Sequence, residues 1–404
     1  MTASDRLSVA GTRQSTPTTP RDPVGFPISS HGRPDIALLL ATSAHSGVVT
    51  VMRHLTESWL ACGVSVDLLH IEGHGPDPAL MPPGVRTIPL GCRHVATAGP
   101  GLRRYLRAQA PHVLLADKHR LNLLALEAAG ACAPATRVCL RTGTAVLADL
   151  DQYGPWRRLK VRRAIARHYG KAHAVIVPSP GIAQDLLELG VPNDILQVIP
   201  NPIATAGLDD LARKPLAHPW FQPGEPPVVL GVGELCARKD FLTLLEAASL
   251  ASRSKALRLM ILGDGPQRVH LQQRAHALGW AEHLALPGFV ANPYPYMSRA
   301  AMLVLPSRLE GFGNVLVEAM HLGTPLIATD CPYGPRDILE HGRLGLLVQV
   351  GAPRAMAEAI LETLVKPAQR QELRAAAARY DQHANARRYL EVMGVAHAPA
   401  LALT

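Results

Sequence analysis

From Asp35 onward the chain alternates short, continuously apolar runs with longer stretches whose apolar residues recur at helical spacing. The first half reads as strands over residues 36–41, 64–70, 85–90, 113–116, 137–140, 174–178 and 196–199, with helices over 48–62, 121–129 and 157–168. Gly63, just past the first of these helices, suits a helix stop. Residues 202–227 break the rhythm with six prolines and two glycines, leaving room only for a short helix over 208–212. The alternation then restarts, with strands over 228–232, 257–262, 284–286, 301–305, 325–328 and 344–348 and two closing helices over 355–365 and 368–393. Strands that are apolar throughout are buried on both faces, as in parallel sheets covered by helices. Two such series joined by a linker predict an α/β chain of two Rossmann-like domains facing each other across a cleft. The expected divisions are a disordered segment over 1–34, a first domain over 35–201, a linker over 202–227, a second domain over 228–380, and a C-terminal helix and tail over 381–404, open to crossing back onto the first domain.

Composition narrows this picture. A chain of 404 residues with 48% hydrophobic content suits two domains with real cores and excludes disorder throughout. Aromatics are only 4%, so those cores are built from aliphatic residues. No apolar run approaches the roughly 20 residues a bilayer span needs, and residues 1–34 lack a leader pattern, so a cytoplasmic protein is expected. The six cysteines include no CxxC pair, and most sit in apolar segments, which suggests neither a disulfide framework nor a zinc site. His70 and His74 are four residues apart but flanked by Gly73 and Gly75, a poor setting for a metal. A net charge of +9 favours anionic partners without choosing among them. Residues 157–171 hold seven Lys or Arg and no acidic residue. That stretch is either a solvated helix face or a surface for peripheral contact with an anionic membrane. Aromatics for base stacking are sparse around it, so nucleic acid is not expected as a partner.

The most informative stretch is Ser307-Arg-Leu-Glu-Gly-Phe-Gly-Asn-Val-Leu-Val-Glu-Ala319. A strand ends just before it, a loop holds Gly311 and Gly313, and a helix starts around Asn314. Backbone N–H groups at such a start hold phosphate, and the glycines allow close backbone approach to a ligand. Glu310 in the loop and Glu318 a turn into the helix could grip sugar hydroxyls from one cleft. Alternatively, Glu310 complements the helix dipole and Glu318 lies on a solvated face.

The Glu-x7-Glu arrangement of Glu310 and Glu318 resembles the signature of the family 4 retaining glycosyltransferases, which have the GT-B fold. The resemblance continues in order through Ile199-Pro-Asn-Pro, the segment from Gly231 to Leu245, Leu262-Gly-Asp-Gly-Pro, Leu286-Pro-Gly-Phe-Val, Cys331-Pro-Tyr-Gly-Pro-Arg-Asp-Ile-Leu and Gly342-Arg-Leu-Gly-Leu-Leu-Val. It is strong over residues 175–350 and weaker before. It implies a hexosyl transfer from a nucleotide-diphosphate sugar, UDP-linked by family frequency, to a glycan or lipid-linked acceptor in cell-envelope or exopolysaccharide biosynthesis. The nucleotide sugar is a co-substrate; no separate cofactor and no metal are implied. By the same resemblance Glu318 binds the ribose, Glu310 holds the donor sugar, and Gly311, Phe312, Gly313, Asn314, Val315 and Leu316 surround sugar and diphosphate with backbone donors. Lys239 neutralises the leaving group, and the departing phosphate oxygen takes the acceptor's proton in a same-face attack.

One departure stands out: the family usually has Arg five residues before that lysine, and here the residue is Glu234. Arg238 could supply the missing cation, Glu234 could point away or orient Lys239, or the chain could be a catalytically weak nucleotide-sugar binder. In the first domain, Gly47 stands where the family has a glycine loop and is expected near donor phosphate or acceptor. Asp117, Lys118, His119, Arg141, Thr142 and Gly143 follow strands and are expected to face the cleft. A nicotinamide-dependent oxidoreductase fits less well, because Cys236 replaces the third glycine of the G-x-G-x-x-G pattern begun at Gly231.

Overall fold

A computed structural model describes residues 32–42, 46–151, 153–203 and 207–397. The lead-in expected to be disordered over 1–34 lies outside the described residues except at its end. There Arg33 donates to the Pro111 carbonyl at 3.0 Å and the Pro34 carbonyl accepts from the His112 amide, so the chain is already docked by residue 33.

The first sheet has seven strands: β1 (Ile36–Leu39), β2 (Val66–His70), β3 (Arg86–Pro89), β4 (Val113–Asp117), β5 (Arg137–Arg141), β6 (Ala174–Val177) and β7 (Leu196–Val198). The second has six: β8 (Val228–Val232), β9 (Arg258–Leu262), β10 (Leu284–Gly288), β11 (Met302–Leu305), β12 (Leu326–Thr329) and β13 (Leu346–Val348). Their orders are β3-β2-β1-β4-β5-β6-β7 and β10-β9-β8-β11-β12-β13. Every pairing is parallel, with Ile36 level with both Val66 and Val113 in the first sheet, and Val229 level with Met302 in the second. Along β1, Ile36 and Leu38 enter the core on one side of the sheet, and Ala37 and Leu39 the core on the other. Along β8, Val228 and Leu230 likewise oppose Val229. Burial on both faces is why the sequence shows unbroken apolar runs in place of alternation.

The strand orders position the site. In each sheet the direction of winding reverses once, between β1 and β4 and between β8 and β11. Loops leaving the two strands at such a reversal diverge and open a crevice at their carboxyl ends. Residues after β1 and β4 therefore border one crevice, and residues after β8 and β11 the other.

The expected single helix over 368–393 is broken. It consists of a helix Arg370–Ala377, a 3-10 turn Ala378–Tyr380 and a helix Gln382–Met393. The Ala-rich stretch carries helical periodicity throughout, but Asp381 turns extended (φ −53°, ψ 134°) and its carboxylate accepts from the Ala384 amide at 2.7 Å, starting a new helix. The freed Tyr380 carbonyl accepts from Ile203 N–H at 3.1 Å. After this turn the last helix lies on the first domain, against helix Gly47–Ala61. Trp59 donates its indole N–H to Ala386 O at 3.0 Å, Gln382 donates to His54 O at 3.0 Å, and the Trp59 and Tyr389 rings are 6.2 Å apart.

Candidate active site

The loop after β11 leads into helix Asn314–Leu322 through Gly313, whose φ of 104° disfavours a side chain. Glu310, in this loop, is buried. Its Oε1 accepts from Lys239 Nζ at 2.6 Å and from Ser307 Oγ at 2.6 Å, and Arg238 Nη1 stands 3.6 Å from Oε2. Burial alone would raise its carboxyl, but the Lys239 and Arg238 charges outweigh that and hold it below the usual carboxylate range. Lys239 comes from the loop after β8 and lies along Gly233, 3.4 Å from where a Cβ would stand. Gly263, after β9, packs so closely on Gly233 that a Cβ would be 1.9 Å from its carbonyl oxygen.

Glu318 is different in kind. It is also buried, yet among the described residues no donor reaches its carboxylate, and burial alone pushes it up to about 7. The Tyr294 phenol lies in its field and is itself pushed up by burial and by Glu318. An unpartnered buried carboxylate is costly unless something else supplies the hydrogen bonds. The site thus offers an open acceptor at Glu318 and two cations at Lys239 and Arg238. The Asn314 and Val315 amides that open helix Asn314–Leu322 also lie at this switch point, and amides at a helix start lack intrahelical partners.

Not every residue of the expected donor loop faces outward. The Phe312 side chain is buried against Tyr380, ring centroids 5.7 Å apart, and Leu316 is fully buried in the same core cluster. The Leu316 amide also donates to Gly313 O at 2.9 Å, so it is already used by the helix. Their part is to anchor the loop; Gly313 is buried with them, whereas Gly311, Asn314 and Val315 are only half-buried. Glu234 is exposed and forms no ion pair among the described residues; Lys239 takes Glu310 as its partner. Arg238 reaches the Leu309 carbonyl at 3.2 Å, which sets its guanidinium beside the loop after β11.

The first domain closes over this loop. Gly311 and Gly143 touch so closely that a Cβ on Gly311 would lie 2.2 Å from the Gly143 carbonyl oxygen. Gly47 opens helix Gly47–Ala61, capped by Ser46, and its carbonyl accepts a long 3.5 Å contact from Asn314 Nδ2. Asn314 is also held by Asn201, which donates to its Oδ1 at 2.9 Å.

Two expected cleft residues are not there. Asp117 and Arg141 are the last residues of β4 and β5, fully buried, and form an ion pair of 2.9 Å. Arg141 also donates to Asn201 Oδ1 at 2.8 Å and to the Tyr389 hydroxyl at 3.3 Å. Its reach is spent inside the fold, because each strand runs one residue longer than its apolar run. Burial lowers His119 to about 4, leaving a neutral imidazole whose Nδ1 lacks a partner. Lys118, exposed, holds φ 77°, an unusual backbone for a lysine.

Residues that sequence reasoning did not single out complete the site. Asp149, in the helix Val146–Asp151, is raised by burial, with Thr144, Arg238 and Lys118 pulling it back, which sets a first-domain carboxylate within the field of the second domain's Arg238. Ser307 and Asn201 both sit inside recognisable motifs, three residues before Glu310 and in Ile199-Pro-Asn-Pro respectively, and position alone could have drawn attention to them. Asp149 carries no local signal.

Residues 226–366 match the family described as Glycosyl transferases group 1, and residues 46–202 match that described as Glycosyl transferase 4-like domain. Among curated proteins, the chain is 31% identical over 193 residues to the lipopolysaccharide core biosynthesis glycosyltransferase LpsE of Rhizobium meliloti, covering 48% of this chain and 54% of that one. It is 30% identical over 264 residues to a GDP-mannose-dependent alpha-(1-6)-phosphatidylinositol monomannoside mannosyltransferase of Mycobacterium tuberculosis, covering 58% and 66% respectively. The match thus spans little more than half the length of LpsE. Among solved structures, Anabaena HepE in complex with UDP and glucose superposes with a TM-score of 0.72 at 18% identity, covering 90% of this chain and 100% of that one. At that identity the likeness speaks for the fold alone.

Proposed function

The chain belongs to the glycosyl transferases group 1 family and has the GT-B fold, and from that premise we propose that it is a retaining hexosyltransferase. It moves a sugar from a nucleotide-diphosphate sugar, UDP-linked, to a glycan or lipid-linked acceptor in cell-envelope or exopolysaccharide biosynthesis. One observation carries the reading: a buried, unpartnered carboxylate at Glu318 stands at the same switch point as the paired cations Lys239 and Arg238. That combination is complementary to a ribose joined to a diphosphate. The names of the relatives support a glycan or lipid acceptor, since LpsE acts in lipopolysaccharide core biosynthesis and the mycobacterial protein on a phosphatidylinositol mannoside. They differ in nucleotide, GDP in the mycobacterial name and UDP in the HepE complex, so the uridine carrier rests on family frequency.

On this reading the Glu318 carboxylate accepts from the ribose hydroxyls and Glu310 positions the donor sugar. Lys239 and Arg238 shift from Glu310 toward the diphosphate as charge builds on it, an electrostatic stabilisation that needs no metal. The bond between the anomeric carbon and the phosphate oxygen breaks, and the acceptor oxygen bonds to that carbon from the same face. The acceptor's hydroxyl proton passes to the departing phosphate oxygen, so no separate base is required. Arg238 compensates for Glu234.

The protein works in the cytoplasm, with peripheral contact on the inner face of the membrane. Helix Pro155–His168 supports that contact: only Ile165 in it is buried, Trp156 is 80% exposed, and Leu159, Lys160, Arg163 and Arg167 follow at spacings that share its face. Among the described residues no helix is long and apolar enough to cross a membrane.

The test is a binding titration of the full chain against a panel of UDP- and GDP-sugars, wild type beside Glu318→Ala. Saturable binding lost in the variant is expected; no binding by folded wild type sinks the proposal. A second reading, a nucleotide-sugar binder that transfers little, rests on Glu234. It would be favoured by binding without either transfer or donor hydrolysis.

A further inference from the structure

The domains also meet at a contact that the chemistry above does not use. Tyr333, in the loop after β12, crosses to the first domain and packs against that domain's apolar cluster. Its ring lies over Gly181, where a Cβ would stand 2.9 Å from the ring's Cδ1. Its hydroxyl donates to the carboxylate of Asp185, 2.8 Å from both oxygens. Asp185 is buried in helix Pro180–Glu188, and its Oδ2 also accepts from the Leu147 amide at 3.0 Å. That amide belongs to the first turn of helix Val146–Asp151, the element carrying Asp149.

On the other side, the Tyr333 loop is pressed onto the donor loop. A Cβ at Gly334 would stand 1.8 Å from the Phe312 carbonyl oxygen, so the two loops are packed backbone against backbone. Tyr333 itself holds φ 67°, a conformation a tyrosine keeps only where its surroundings over-determine it. One carboxylate thus joins a hydroxyl from the donor-side loop to an amide of the acceptor-side helix.

We propose that Tyr333 and Asp185 are a closure latch, a pair of positioning residues that set helix Val146–Asp151 against the donor loop when the cleft shuts. The hydroxyl contributes only when the domains are together, so it biases the open–closed equilibrium without touching substrate. The link through Asp185 places the acceptor-side wall in the same step.

Small-angle scattering on the full chain, free and with saturating UDP, tests this without requiring a known acceptor. Tyr333→Phe removes only the hydroxyl. It should enlarge the radius of gyration in whichever condition the wild type is compact and weaken UDP binding about tenfold, the scale of a hydrogen bond to a charged group. Asp185→Ala should do the same, and combining the two should add little. Asp185→Asn should stay close to wild type, because an amide can accept from Leu147 and donate to the tyrosine oxygen. Scattering of Tyr333→Phe identical to wild type in both conditions overturns the latch, as do effects of Tyr333→Phe and Asp185→Ala that simply add. If the wild type fails to bind UDP, the sugar-transfer reading suffers, while the free-chain scattering still decides the latch.

Discussion

At Glu318 a carboxylate raised from 4.5 to about 7 has been moved by burial alone. Ionising it in these buried surroundings costs on the order of 3 kcal/mol relative to water. Ribose hydroxyls would return part of that by donating to the ionised form, so binding and ionisation favour each other. UDP affinity should therefore rise between pH 6 and 8 in the wild type and rise less over that range in Glu318→Gln, where the nucleotide's terminal phosphate still titrates; calorimetric titrations across the range would show it. Stability should run the other way. The folded state holds this proton more tightly than the unfolded chain, so the group's contribution is intact below the unfolded value and lost as pH rises through about 7. Glu310 and Glu318 were legible in the sequence because their eight-residue separation survives in one loop and one helix turn. The Lys239–Glu310 contact was not, since its partners are 71 residues apart and meet only because β8 and β11 are neighbours. Nor could the sequence separate Phe312 and Leu316, which anchor the loop from within, from the half-buried Gly311, Asn314 and Val315 beside them.

At the scale of single elements, helix Pro155–His168 makes the most direct claim on function. A surface helix normally spreads acidic residues among its basic ones, but here the nearest compensation is Asp151, paired with Arg158 at 2.7 Å. An aromatic exposed beside a basic face suits the headgroup layer, where the indole sits at the interface and each nearby cation adds about 1 kcal/mol. Sedimentation with vesicles containing phosphatidylglycerol should pull down the wild type, with binding falling as salt rises. Trp156→Ala combined with Lys160→Ala and Arg163→Ala should stay in the supernatant. Equal sedimentation with uncharged phosphatidylcholine vesicles would remove the electrostatic explanation. Strands were the most readable elements, because two-faced burial leaves unbroken apolar runs such as Ile36–Leu39. Their polar ends were less so: Asp117 and Arg141 look like loop residues beside those runs, yet each completes a strand. The break at Asp381 escaped because helical periodicity continues across it; the local Asp381 cap is joined by a distant bond from Ile203 to the Tyr380 carbonyl.

Across the whole molecule, one chain of polar contacts runs from the first domain's core to the donor helix. Asp117 pairs with Arg141, Arg141 donates to Asn201, and Asn201 donates to Asn314 at the head of helix Asn314–Leu322. Tyr389 of the last helix joins at Arg141, so the first domain's core, the Asn201 segment, the returning helix and helix Asn314–Leu322 are tied through one guanidinium. Every link is buried or nearly so, which makes the network unforgiving. Arg141→Leu would leave the Asp117 carboxylate buried without its cation, and loss of such a partner typically costs about 3–5 kcal/mol. The first domain should accordingly unfold at clearly lower urea than in wild type, followed by the fluorescence of Trp59, which packs beside Tyr389. Adding Asp117→Asn should recover part of the loss, because the stranded group is then neutral. Recovery of stability should not restore the contact at Asn201: it would still lack the donor that holds its Oδ1, and Asn314 would lose the support behind it. The double variant is therefore expected to regain much of its urea midpoint while UDP binding remains weakened. Parallel recovery of both would mean that the network holds the first domain together without organising the donor helix.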